Sequence, residues 1–271
     1  MKKIVSILLA MMLSLAACDS VSSGERSSAP TVSEYSTPAP ITCAPGEGSA
    51  PEQSEEPSAE QKGAADTEAP NILIAYFTWA DNTVVEDEKA AVQSALSHYE
   101  SMGDRDNYNG VDAVASASVA PPGNTAQMAG WIQQEVGGDL HSIVVQDLYP
   151  SDYDECLERA ADEKAQDARP VLSSHVGDME DYNIVFLGFP NWWYTLPMPV
   201  LTFVEEHDWS GKTVVPFVTH GTGGLSATVR DLTTALPDDV AVMEPIGIYR
   251  PDVPHARPII QEWLSGLDLE V

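Results

Sequence analysis

The sequence predicts an α/β fold in which a five-stranded parallel sheet is covered by helices on both faces. Five short β-branched or aromatic runs are bounded by turn residues, stretches of helical spacing lie between them, and a hydrophobic content of 43% suffices for one core. Strand and helix in alternation imply parallel pairing, because the crossover joining two parallel strands lays its helix on one face of the sheet.

Taken in order, strands are expected at 71–77 (NILIAYF), 140–146 (LHSIVVQ), 183–189 (NIVFLGF), 213–218 (TVVPFV) and 240–245 (VAVMEP). Helices are expected at 125–136, where Ala126, Ala129, Ile132 and Val136 share one side, and at 152–167, 198–206, 225–236 and 255–264. In such sheets ligands sit beyond the carboxyl ends of the strands. The residues that follow each strand are therefore the place to look for chemistry.

Ahead of this domain the composition changes twice. Lys2 and Lys3 precede an apolar run over 4–15, which ends in Ala16 and Ala17 before Cys18. The run is shorter than the roughly 20 residues that span a bilayer, so it reads as an export signal over 1–18. Leu15-Ala16-Ala17-Cys18 resembles the lipobox of bacterial lipoproteins, which implies acylation of the Cys18 thiol, cleavage before it, and a membrane tether on the extracytoplasmic face. Asp19 follows, a residue that tends to hold Gram-negative lipoproteins in the inner membrane. Residues 19–70 hold 10 Ser, 7 Pro and 4 Gly, with 10 acids against Arg26 and Lys62, too little apolar matter for a core. They read as a disordered tether reaching about 40 Å as a flexible coil, with Cys43 an unpaired thiol within it.

Composition also excludes. With 42 Asp and Glu against 13 Lys and Arg the formal charge is −29, and residues 71–271 keep 32 acids against 9 bases. No clustered cations exist to displace counterions from nucleic acid. Three cysteines exclude a disulfide scaffold. The chain lacks Gly-x-Ser-x-Gly, His-Glu-x-x-His and Cys-x-x-Cys, and Cys156 reads as a packing residue. Asp104, Asp106, Asn107, Asn109 and Asp112 suggest calcium, but Gly110 at the turn position of an EF-hand loop would put Arg105 first and Ser116 last. No metal site is expected.

Three loops remain. The first strand leads to Thr78, and much later Gly123-Asn124-Thr125 opens a helix; the third leads to Pro190-Asn191-Trp192-Trp193-Tyr194, and the fourth to Thr219-His220-Gly221-Thr222-Gly223-Gly224. This order of loops, with Leu196-Pro197-Met198-Pro199 after the Trp-Trp pair, resembles the flavodoxin family over about 200 residues, particularly its lipoprotein and reductase-like branch. The resemblance implies a doubly wound sheet of order 2-1-3-4-5 and FMN as cofactor. It implies phosphate binding by Thr78, Asn124 and Thr125, with Gly123 allowing close backbone approach. A helix N-cap role would account for Asn124 alone, but not for Thr78 and the other two loops together.

Against the family pattern, 44 residues separate Thr78 from Gly123. Asp81-Asn82-Thr83 offers a competing match, but Asp81 would set a carboxylate beside a phosphate. The later Gly-Asn-Thr is preferred, leaving 79–122 as an insertion with a short helix near 87–99. Adjacent aromatics at a strand end point in different directions, so at least one of Trp192, Trp193 and Tyr194 must face the crevice and stack on a flavin ring; Trp192 and Tyr194 lead. Pro190 and Asn191 join that loop, while Thr219, Gly221, Thr222, Gly223 and Gly224 supply backbone donors suited to the pyrimidine edge; His220 is included in the cofactor site with two orientations open, toward the ring or toward solvent, a lone histidine being more often structural.

The expectation is thus an FMN-binding electron-transfer protein, lipid-anchored outside the cytoplasm. Its negative surface would steer basic redox partners toward the crevice. Two alternatives stay open: an NAD(P)H-dependent oxidoreductase acting on quinones or similar acceptors, and a non-redox binding module on a flavodoxin frame. The oxidoreductase draws support from the lack of glycine at 190–194, where electron-carrying flavodoxins flip a glycine-containing peptide.

Overall fold

Residues 72–75 and 184–189 are buried on both faces of the chain, as befits central strands between two helix layers. The structure, a computed structural model, describes residues 71–101, 118–221 and 223–269. Its sheet consists of β1 (Ile72–Tyr76), β2 (Asp139–Ser142), β3 (Ile184–Pro190), β4 (Thr213–His220), β5 (Ala241–Val242) and β6 (Ile246–Tyr249). The ladders between these strands are parallel. Their order is β2-β1-β3-β4-β5, with β6 also pairing β4. The expected fold class and the order 2-1-3-4-5 are both borne out.

Helices α1 (Glu88–Ser101), α2 (Asn124–Val136), α3 (Tyr153–Ala165), α4 (Met198–Glu206), α5 (Thr228–Ala235) and α6 (Arg257–Gly266) cover the sheet. The period of two in β1 divides the core. Leu73, Ala75 and Phe77 pack with Ala91 and Ala95 of α1, Cys156 of α3 and Phe203 of α4. Ile72 and Ile74 face the other way, onto Met128 and Ile132 of α2 and Ile260 of α6.

Two strands depart from expectation. β2 ends at Ser142 rather than Gln146 because the buried Asn82 side chain takes over the chain's hydrogen bonding. Asn82 Nδ2 donates to the carbonyls of Thr78 (2.9 Å) and Ile143 (3.0 Å), and its Oδ1 accepts from Val145 N–H (2.8 Å). The fifth strand does not end at Pro245. Proline lacks an N–H for the ladder, so pairing with β4 lapses after Val242 and resumes over Ile246–Tyr249. Helix ends shift by a few residues, and 250–255 form a 3-10 turn before α6. The short helix expected near 87–99 runs over Glu88–Ser101. The lipobox at Cys18, the tether with Cys43, the acidic loop at 104–112 and Thr222 lie outside the described residues.

At the far side of the sheet, His141 of β2 stacks on Phe203 with 5.7 Å between ring centres, and its buried Nε2 has no partner. Burial, then the nearby His207 and His175, hold the His141 pKa below its ordinary value. The fold thus favours the neutral ring, and the unfolded chain binds the extra proton. This contribution is complete above the unfolded pKa of about 6.5 and is lost as pH falls below it. The urea midpoint of the full-length chain is expected to fall between pH 7.5 and 5.5, and to fall less in His141→Leu; equal falls would show that His141 does not carry the effect.

Candidate functional site

The carboxyl ends of β1, β3, β4 and β6 meet at one crevice. Thr78, Asn124, Thr125, Pro190, Asn191, Trp192, Trp193, Thr219, His220 and Gly221 line it, so the structure brings these expected residues together from three separate loops. The crevice holds about 110 Å³, less than the roughly 300–1,000 Å³ of pockets that enclose a whole drug-sized ligand.

Behind the lining residues Thr78 and Asn124 stands Gly123. Its φ of +78° is a left-handed conformation that glycine adopts without strain, and it turns the chain into α2. A Cβ there would stand 2.3 Å from Thr78 Oγ1, so only glycine lets the two segments touch. Gly123, and not Asn124, occupies the N-cap position, so the cap residue itself offers no side-chain acceptor. The N-cap reading of Asn124 is thereby replaced: it is the first helical residue, and its N–H donates to Ser118 Oγ at 3.0 Å. Thr125 is tied to Thr219 by their hydroxyls, 3.1 Å apart. The competing Asp81-Asn82-Thr83 segment has other work, since Asn82 staples β1 to the chain after β2.

Three buried side-chain polar atoms lack a partner among the described residues: Thr78 Oγ1, Asn191 Oδ1 and His141 Nε2. The first two belong to crevice residues. Because buried polar groups are nearly always paired, two unpaired ones on one concave wall mark a place for a ligand. A hydroxyl beside a helix N-terminus, with a glycine admitting close approach, fits a phosphate group. The residues present thus fit FMN.

The Trp-Trp loop is a two-residue hairpin turn. Trp192 N–H donates to Thr195 O (2.9 Å) and Thr195 N–H to Trp192 O (3.1 Å). Both central residues have positive φ, Trp193 at 50° and Tyr194 at 66°, where such turns prefer Asn and Gly. Bulky residues there store strain of the order of 1–3 kcal/mol each, of the kind found at functional sites. The carbonyls of Trp192, Trp193 and Tyr194 accept from Thr195 N–H, Lys164 Nζ and Ala227 N–H.

The three rings divide their roles. Trp192 is half-buried and meets Phe77 and Tyr149 edge-on, each 5.2 Å between centres. Trp193 is 41% exposed and donates Nε1–H to Leu157 O. Tyr194 is 64% exposed and, with Gly123 and Gly223, falls outside the crevice lining; its ring lies beside Gly223. His220 Nδ1 is 2.8 Å from Gly221 O.

Several lining residues lay outside the expected set: Trp79, Ser118, Tyr153, Cys156 and Arg250 among them. Cys156 is buried, and burial pushes its thiol pKa up, so it stays neutral as the packing residue expected. Burial, then Tyr99, likewise raises the Tyr153 pKa. Arg250 could have been found by the rule that sites follow strand ends, had the fifth strand been extended to Tyr249.

The family model described as flavodoxin matches residues 113–249. A candidate flavoprotein from Bacteroides eggerthii is similar at 25% identity and a TM-score of 0.52, over 74% of this chain and all of that one. A second, from Bacteroides uniformis, shares 22% identity at a TM-score of 0.51, over 73% and 99% of the two chains. A flavoprotein from Lactobacillus acidophilus, in complex with FMN, shares 17% identity at a TM-score of 0.45, over 69% and 98%. No curated protein matches. The matched segment spans half of the chain and carries Gly123, the Trp-Trp turn and the β4 loop, the parts on which the crevice is built, and the chain belongs to the flavodoxin family.

Proposed function

We propose that this chain is an FMN-binding electron-transfer protein, held at the outer face of the cell membrane by lipid on Cys18. The observation that carries the cofactor reading is the buried, unpartnered Thr78 hydroxyl against Gly123 at the start of α2. FMN, when bound, supplies the redox chemistry. Thr78 Oγ1–H and the N–H groups of the first turn of α2 beyond Asn124, whose own N–H goes to Ser118 Oγ, are the donors suited to its phosphate, while Trp192 and Trp193 offer apolar surface that would exclude water from the flavin ring. Titrating the full-length chain into FMN should quench flavin fluorescence to a one-to-one end point; a folded chain that leaves the fluorescence unchanged would contradict the reading. For the anchor, labelled palmitate should enter the membrane-bound chain and not Cys18→Ser.

A second reading, an NAD(P)H-dependent oxidoreductase of quinones or similar acceptors, draws support from the turn at 192–195. All three carbonyls there are engaged, so a peptide flip would break hydrogen bonds as well as force new angles on an aromatic residue. A fixed turn suits paired over single electron transfer. Stepwise anaerobic reduction of the loaded chain separates the two readings: two one-electron stages indicate the carrier, and one two-electron stage indicates the oxidoreductase.

A further inference from the structure

Outside the crevice, histidines from three segments gather at α4. His141 of β2 stacks on Phe203, the Phe203 ring lies 4.4 Å from that of His207 just after the helix, and His175 Nδ1 is 3.2 Å from Glu206 Oε2. His175 belongs to a segment that borders β2, the edge strand of the sheet. That segment runs antiparallel to the chain after β2 through a Val145–Leu172 bridge. Ser173 N–H and Oγ–H both donate to Val144 O (2.7 and 3.0 Å), and Ser174 Oγ–H donates to Ser142 O (2.9 Å), the residue next to His141. Leu172 is fully buried and fixes the start of the segment, whereas Ser173, His175 and Gly177 are exposed and Val176 is half-buried against the core. Residues 173–177 are thus held to the sheet edge by a few polar contacts and one apolar side chain.

We propose that His141 makes residues 173–177 an acid-sensitive latch on the sheet edge, so that its protonation frees this segment while β1, β3 and β4 stay folded. A protonated ring carries an N–H on both nitrogens, and Nε2 is buried with no partner among the described residues. A buried charge with an unmet donor costs more than half-exposed polar contacts hold. The groups facing the ring do not offset that cost. Asp139, on the same face of β2, accepts from Tyr182 Oη (2.9 Å), while on α4 Glu206 is engaged by His175 and Glu205 by Arg169 (2.7 Å). Charge on His207 or His175 adds repulsion, the direction in which both already act on His141. The His175–Glu206 contact opposes release, but both side chains are more than a third exposed, where such pairs contribute little. Opening of 173–177 brings water to the ring without breaking the central ladders. The latch involves no flavin and is independent of the cofactor reading.

The test is native-state hydrogen exchange of the full-length chain at pH 7.5 and 5.5, over a range of low urea concentrations, with each rate divided by its intrinsic value. In the open segment His141 returns to its ordinary pKa of about 6.5, so the open form gains up to about 10-fold between these two pH values. Protection of the Ser173 amide is expected to fall by about 5- to 10-fold, with a urea dependence much shallower than that of the β3 amides, as befits a local opening. His141→Leu should abolish the fall, and His141→Gln takes its place should leucine prevent folding. Constant protection at Ser173, an equal fall in the substituted chain, or a urea dependence as steep as that of β3 would each overturn the proposal, the last by showing that the segment opens only when the whole domain unfolds.

Discussion

Asn82→Ala is expected to destabilise the full-length chain by roughly 3–5 kcal/mol in urea unfolding, far more than a typical substitution. The side chain is fully buried and serves three main-chain groups at once: it donates to Thr78 O and Ile143 O and accepts from Val145 N–H. Alanine leaves all three in a dry interior, each at a desolvation cost of about 1–3 kcal/mol, partly relieved by any water that enters. Asn82→Asp should be nearly as damaging, since a carboxylate replaces the two donated hydrogen bonds with repulsion. A loss below about 1 kcal/mol in Asn82→Ala would mean that the staple is not what ends β2.

The second large effect is expected from Gly123→Ala. A Cβ at this position would lie 2.3 Å from Thr78 Oγ1, 3.0 Å from Ala80 Cβ and 3.3 Å from Ser118 O, with φ at +78°. Strain alone should cost about 1–3 kcal/mol. The clash also displaces the hydroxyl proposed to meet the phosphate, so FMN affinity should fall by about 100-fold or more, equivalent to roughly 2.8 kcal/mol. Gly130→Ala is the control: it lies within the same helix, its Cβ would meet nothing within 4 Å, and alanine favours helix. Unchanged FMN binding in Gly123→Ala would remove this contact from the site.

The fold was legible because β1, β3 and β4 are continuous apolar runs and their helices carry periodic apolar faces. Each strand error traces to a single residue, one acting over distance and one within its own strand. Asn82 competes for the chain after β2 from 61 to 63 residues away in sequence, and no periodicity announces that. Pro245 looked like a strand end, although β6 resumes one residue later. That misplacement also hid Arg250, whose place in the crevice lining appears only once Tyr249 is seen to end the strand. Gly123-Asn124-Thr125 could be chosen over Asp81-Asn82-Thr83 from sequence because only the former keeps its glycine. The roles of the three aromatics could not be divided in advance, since a two-residue turn with positive φ at Trp193 and Tyr194 contradicts the preferences of both.

The most direct test of the central claim is the visible spectrum of the full-length chain as purified, before and after addition of FMN, with released cofactor identified after denaturation. The account predicts a bound-flavin spectrum and one FMN per chain. A chain that unfolds cooperatively, yields no flavin on denaturation and takes none up would contradict it, and would favour a binding module built on a flavodoxin frame.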